Sequence, residues 1–141
     1  MNMIIYDASN QILGRLCSVI AKRLLKGEKI SVVNCEKAVL AGNPRFKKDK
    51  YKHKYERGDA LKGPFFPKQP ERILRRTVRG MLPWDRARGR NAYRNLKAYI
   101  GVPEELQGKK FEKTKFDASN LNCNFTTLGD VAIAMGAERR W

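Results

Sequence analysis

Residues 3–34 read MIIYDASNQILGRLCSVIAKRLLKGEKISVVN, and this stretch decides the fold. Met3-Ile4-Ile5-Tyr6 is a short apolar run with the character of a buried strand, and Asp7-Ala8-Ser9-Asn10 is turn chemistry. Leu13, Leu16, Cys17, Ile20, Ala21 and Leu24 then recur at i, i+3, i+4, i+7, i+8 and i+11. That spacing lines one face of an amphipathic helix, with Arg15, Ser18, Lys22, Arg23 and Lys26 on the other side and Gly27 as its stop. Ile30-Ser31-Val32-Val33-Asn34 is a second strand. A strand, a helix and a strand in so short a span predict a βαβ unit with parallel strands and a right-handed crossover.

Beyond this unit the pattern is less regular. Glu36 to Leu40 is expected to make a short helical turn closed by Gly42. Tyr51, His53 and Tyr55 alternate with Lys50, Lys52 and Lys54, which predicts a ribbon-like strand over residues 50–55. Gly58 to Pro70 is rich in Gly and Pro and is expected to be a loop ordered by itself or by a binding partner. Pro70 suits a first helical position, and Ile73, Leu74, Thr77, Val78 and Met81 form the stripe of the helix it opens. A second short helix is expected over Arg90 to Lys97, and a last strand over Ala98 to Ile100. The domain division that follows is a core at 1–103 and a C-terminal extension at 104–141. In the extension, residues 107–125 read as linker, and Thr127-Leu128-Gly129-Asp130 resembles a capping box opening a helix through Met135.

Charge narrows the function. Residues 1–101 hold 24 Lys and Arg against 8 Asp and Glu, whereas residues 102–141 hold six of each. The net charge of +16 therefore belongs to the first segment, where a compact fold would repel itself unless it faced a polyanion. The hydrophobic fraction of 42% supports a real core, unlike a disordered basic tail. The longest apolar run, Val131 to Met135, is far below the roughly 20 residues of a membrane span. The N-terminus lacks the features of a secretory signal, and Cys17, Cys35 and Cys123 suit free thiols in a reducing cytosol, each read as a small core residue. No catalytic residue is assigned and no metal or cofactor is expected. The single histidine, His53, sits among lysines, the carboxylates of the basic segment are dispersed, and no CxxC pair or phosphate-binding glycine loop is present. Asp7 is the best lone candidate, but a turn role accounts for it.

The binding candidates are the basic positions. Arg45, Lys47, Lys48, Lys50, Lys52, Lys54 and Arg57 form one group, followed by Lys68. Arg72, Arg75, Arg76, Arg79, Arg86, Arg88, Arg90, Arg94 and Lys97 form another, interrupted by a single acid, Asp85. Arginine predominates in the second group, and its planar fork matches phosphate geometry. Phe46, Tyr51, Tyr55 and Trp84 either stack on splayed bases or anchor loops to the core. The connection between the helices at 70–80 and 90–97 is too long for a helix-turn-helix, so folded RNA fits better than a DNA major groove. An RNA-processing enzyme and a DNA-compacting protein are the rival readings. A membrane role lacks an adjacent exposed apolar stripe.

Several stretches also resemble a known family. They are Ile12-Leu13-Gly14-Arg15, Val33-Asn34-Cys35-Glu36-Lys37-Ala38-Val39-Leu40-Ala41-Gly42-Asn43, Arg75-Arg76-Thr77-Val78-Arg79-Gly80-Met81-Leu82-Pro83 and Arg88-Gly89-Arg90 with Ala92-Tyr93. Together they are similar to the universal L-thirteen family of large-subunit ribosomal proteins, over residues 4–103. Gly63-Pro64-Phe65 and the helix opened by Thr127 resemble its archaeal and eukaryotic type, and Cys17 and Cys35 stand where alanine is common in it. The resemblance implies a three-layer α/β/α fold around a four-stranded, mostly parallel sheet. It also implies a structural role in the cytoplasmic large ribosomal subunit, bound to its ribosomal RNA and neighbouring ribosomal proteins, supporting assembly, with no catalysis, cofactor or small-molecule substrate. The neutral extension is expected to contact a neighbouring protein or lie against the core, and deleting residues 126–141 is expected to leave RNA affinity largely intact.

Overall fold

The structure is a computed structural model that describes residues 3–141. Strand β1 (Met3–Asp7), helix α1 (Leu13–Leu25) and strand β2 (Lys29–Val33) form the expected βαβ unit. The strands pair in parallel, from Met3 opposite Lys29 to Asp7 opposite Val33. All six residues of the α1 stripe are buried, and Gly27 follows the helix with a φ of +91°, which favours glycine. A 3-10 turn at Cys35–Lys37 leads into β3 (Val39–Ala41), so the turn expected up to Leu40 ends early and a strand begins. Then come α2 (Pro44–Glu56), α3 (Pro70–Gly80), α4 (Ala87–Arg94), β4 (Leu96–Ala98), β5 (Phe125–Thr127) and α5 (Leu128–Ala134).

The sheet differs from the four-stranded expectation. Three strands form a parallel sheet in the order β1-β2-β4, and β3 pairs antiparallel with β5 in a separate two-stranded ribbon. Local geometry turns β3 aside. Asn34 takes a left-handed conformation (φ 54°), and the 3-10 turn redirects the chain before Val39. The strand expected last, over Ala98 to Ile100, is also displaced: α4 ends at Arg94 with Asn95 as its cap, so Leu96 is not helical but opens β4, and β5 follows it later in the chain.

One face of the parallel sheet carries the main core. Tyr6, Ile30, Val32 and Leu96 meet Leu13, Leu16, Ile20 and Leu24 of α1, Ile73, Leu74 and Val78 of α3, and Leu128, Val131, Ala132 and Met135 of α5. Successive strand residues point to opposite faces, so Ile5 and Val33 turn away and pack with Leu106, Tyr99, Val102 and Phe111. Residues 107–125, expected as linker, are tied to the core by backbone pairing. The Asp7 amide donates to Glu112 O (3.0 Å), the Glu112 amide to Ile5 O (2.8 Å) and the Ile12 amide to Phe116 O (3.1 Å), closing the free edge of β1.

Candidate nucleic-acid interface

Helix α2 carries the first basic group. Pro44 occupies its first turn and Asn43 caps it, with Oδ1 accepting from the Arg45 amide (3.0 Å), so residues 50–55 are helical and the expected ribbon strand does not form. In a helix Tyr51 and Tyr55 are one turn apart on one side, which is why both pack inward. No residue of α2 is fully buried; Pro44, Lys47, Lys48, Tyr51 and Tyr55 are half-buried, and its other residues are exposed. Tyr51 meets Phe66 at 6.1 Å between ring centroids, and Lys54 Nζ lies over both rings at 5.2 and 5.7 Å. Lys68 Nζ sits 4.7 Å from the centre of Tyr55. Partial burial, and then Lys50 nearby, hold the Lys54 pKa below its ordinary value.

Helix α3 carries the second group. Ile73, Leu74 and Val78 fix its inner face, which leaves Arg72 and Arg76 exposed and Arg75 and Arg79 half-buried. Arg79 stacks 4.3 Å over Trp84 and Arg75 4.9 Å over Tyr93, and the two rings meet edge to face at 5.2 Å. Gly89 lets α4 approach the backbone of Pro83, which brings Tyr93 to Trp84. Aromatic faces therefore orient these guanidiniums while leaving their charge uncompensated. A cleft of about 410 Å³ opens between Arg72, Arg75, Arg76, Arg79, Tyr93 and Phe65.

The other candidates fall around these two groups. Arg45, Lys47, Lys48, Lys50 and Lys52 lie on α2 with Lys54, and Arg57 caps its end. Arg86 precedes α4, while Arg88, Arg90 and Arg94 lie on it, exposed, with Arg88 donating to Leu25 O (3.4 Å). Arg94 and Lys97 do not share the α3 cleft. They line another of about 390 Å³ with Lys29, Met3 and Ser31, at the beginning of the parallel strands. Lys29 escaped the sequence reading because it is an isolated charge at the start of an apolar strand. Among the described residues, the ion pairs are Arg23 with Glu28 and Glu112, Lys113 with Asp7, and Lys52 with Glu56 at 3.9 Å. Lys52 is thus the one member of the proposed basic set with a carboxylate partner among the described residues.

Of the aromatic candidates, Tyr51, Tyr55 and Trp84 are packed as described, and Phe46 is exposed (62%). Phe65, missed in the sequence reading because its loop has no periodicity, is exposed to a similar degree (69%).

Asp7, the lone carboxylate candidate, is a turn residue. Its Oδ1 accepts from the Ser9 amide (3.0 Å) and from Asn34 Nδ2 (3.0 Å), and Lys113 lies 3.6 Å from Oδ2. Burial pushes its pKa up, but these hydrogen bonds and the lysine outweigh burial and hold it below the ordinary value. Cys17 and Cys35 are buried core residues, whereas Cys123 is exposed, contrary to its expected core position. Among the described residues no group of three or more His, Cys, Asp or Glu is gathered as for a metal, and no helix is long and apolar enough to cross a membrane.

A small α/β core thus presents arginines on aromatic supports, unpaired with any carboxylate among the described residues. Comparison with known proteins specifies the family. The model of the family described as "Ribosomal protein L13" matches residues 1–105, and the chain belongs to that family. The large ribosomal subunit protein uL13 of Archaeoglobus fulgidus is 53% identical over 135 residues, covering 94% of this chain and 86% of its own. Its counterpart in Methanopyrus kandleri is 46% identical over 138 residues (95% and 87% of the two chains), and that of Methanosarcina barkeri 46% over 140 residues (96% and 99%).

Proposed function

We propose that this chain binds large-subunit ribosomal RNA through α2, α3, α4 and the loop before α3, neutralising phosphates where RNA segments converge. As a uL13 protein it is a structural component of the large ribosomal subunit and not an enzyme. The observation that carries the RNA reading is the uncompensated charge. Arg72, Arg75, Arg76 and Arg79 gather on one cleft, and none pairs with a carboxylate among the described residues. A solvated protein surface normally interleaves charges of both signs. A face of one sign held by aromatic stacking is suited to phosphates. Specificity then comes from RNA shape, with few base-edge contacts. Residues 1–103 supply this face, and neighbouring ribosomal proteins contact the remainder of the surface.

The test is sedimentation of the protein from a cell lysate through sucrose at moderate and at high salt. Cosedimentation with the large subunit that persists at high salt is expected, because a shape-matched interface survives screening. Release at modest salt, or a position at the top of the gradient, overturns the proposal and restores the DNA-compacting and RNA-processing readings.

A further inference from the structure

We propose that Phe65 and the arginine cleft beside it form a subsite for one unpaired RNA nucleotide, the base stacking on the ring and the flanking phosphates lying on Arg72 and Arg76. This rests on the RNA-binding reading above and adds a single-nucleotide site to it. A lone exposed apolar side chain is ordinary on a protein surface, and three further observations distinguish Phe65.

The ring is positioned. The Asp59 amide donates to Gly63 O (3.2 Å) and the Gly63 amide returns to Asp59 O (2.9 Å), closing a tight turn just before Phe65. Asp59 Oδ1 also accepts from the Leu61 amide (3.3 Å). Gly63 has a φ of +77°, and a Cβ placed on it falls 3.0 Å from Cδ2 and Cε2 of Phe65. The ring thus leans on glycine backbone that only a residue without a side chain provides.

The ring is also unused. Tyr51 and Phe66 pack on each other and share Lys54, Tyr55 carries Lys68, and Trp84 and Tyr93 pair while carrying Arg79 and Arg75. Among the described residues Phe65 stacks with neither a ring nor a cation. Its location supplies the third observation. It borders the cleft of about 410 Å³ that four arginines line without a carboxylate, a size typical of sites for small ligands (roughly 300–1,000 Å³). On α3, which lines the cleft, Arg75 Nε is shielded from water without an acceptor in the protein, as is Glu71 Oε2 one turn earlier without a donor.

An aromatic face beside phosphate-binding forks selects a nucleotide. The ring takes the π-face of any base, and the arginines take the charge. The base must be unpaired, because bases within an RNA helix do not offer a free face. An acidic peptide would use the arginines and leave the ring idle, so it predicts a different response to substitution of Phe65.

The experiment measures binding of the full chain to a large-subunit ribosomal RNA transcript across a salt series, for the wild type, Phe65→Leu, Phe65→Trp and the double variant Arg72→Gln/Arg76→Gln. Phe65→Leu is expected to weaken binding roughly 5- to 100-fold, the effect of losing one stacked base, with the salt slope unchanged. Phe65→Trp is expected to restore affinity. The arginine variant is expected to flatten the slope by roughly one unit for each lost phosphate contact. Phe65 belongs to no buried cluster, so equal thermal unfolding of wild type and Phe65→Leu is the control. Wild-type affinity of Phe65→Leu for the transcript overturns the subsite while leaving the RNA-binding reading intact. Failure of Phe65→Trp to rescue overturns it too. Wild-type preference for duplex DNA over the transcript instead overturns the reading beneath it.

Discussion

A methyl group placed on Gly89 meets the carbonyl oxygen of Pro83 at 2.1 Å and its carbon at 2.6 Å. Both are backbone atoms, so no side-chain rotation relieves the clash, and α4 must move off the turn at residues 83–86. Gly89→Ala is therefore expected to destabilise the isolated protein by about 1–3 kcal/mol, the usual cost of overpacking. It is also expected to disturb the contact of Trp84 with Tyr93, and with it the support under Arg79 and Arg75. Urea unfolding measures the first effect, and near-ultraviolet circular dichroism of the aromatic residues measures the second. Unchanged stability with an unchanged aromatic signal would show that α4 does not approach the turn this closely. Gly89 was visible in the sequence as part of a family-like motif, but the sequence offered no reason for it, because Pro83 becomes its neighbour only once the helix is formed. The cysteines were legible to a different degree. Cys17 and Cys35 sit among apolar residues as their flanking sequence implied, and burial pushes the Cys17 thiol up to about 12 and raises that of Cys35 as well. Cys123 has no such apolar enclosure and is exposed.

Helix α3 is the element on which the proposed interface rests, since one side of it builds the core and the other presents Arg72, Arg75, Arg76 and Arg79. Replacing Arg75, Arg76 and Arg79 together by glutamine is expected to flatten the salt dependence of RNA binding by roughly one unit per lost phosphate contact. Titrating affinity against salt for wild type and variant checks this, and an unchanged slope removes α3 from the interface. Elements of this kind were legible. The stripe of α1 and that of α3 each recur at helical spacing, and Ile73, Leu74 and Val78 are buried as the spacing required. Helix α2 was not, because it buries no residue completely and its rings at 51 and 55 also fit an alternating strand. Its capping signal, Asn43 before Pro44, is present in the sequence, but the charge alternation that follows obscured it. The three-residue strands β3 and β5 are too short to show any period, and their pairing joins residues over 80 positions apart in the chain. The expected four-stranded sheet failed at this point. The pairing of Glu112 with β1 and of residues 116–118 with residues 10–12 was hidden for a related reason, because it is made by backbone amides that leave no pattern in side chains.

At the scale of the molecule, the uneven distribution of charge conceals a shared core. The chain ends in an electrically balanced segment after a strongly basic one, and that asymmetry suggested an appendage dispensable for RNA binding. Physically the end of the chain is part of the support. Leu128, Val131, Ala132 and Met135 are buried in the same cluster as α1 and α3, and Trp141 packs against it. The Trp141 indole also lies close over Gly129, where a Cβ would stand 3.2 Å from Nε1. Thr127 begins α5 by accepting from the Asp130 amide (3.3 Å), and the Leu128 amide donates to Ala38 O (2.8 Å), joining the helix to the turn before β3. Burying a Leu, Val or Met side chain contributes about 1.5–3 kcal/mol. Three of them and an alanine therefore approach the net stability of a typical domain, about 5–15 kcal/mol. Deletion of residues 126–141 is accordingly expected to abolish cooperative unfolding and, through the loss of the fold, RNA affinity, although the segment carries little of the basic face. Thermal unfolding followed by circular dichroism, beside RNA binding of the same truncated chain, distinguishes the two accounts. Loss of both signals means that the extension supports α2 and α3 from beneath. A truncated chain that unfolds cooperatively and binds RNA as the full chain does would mean that α5 only rests on a core already complete without it.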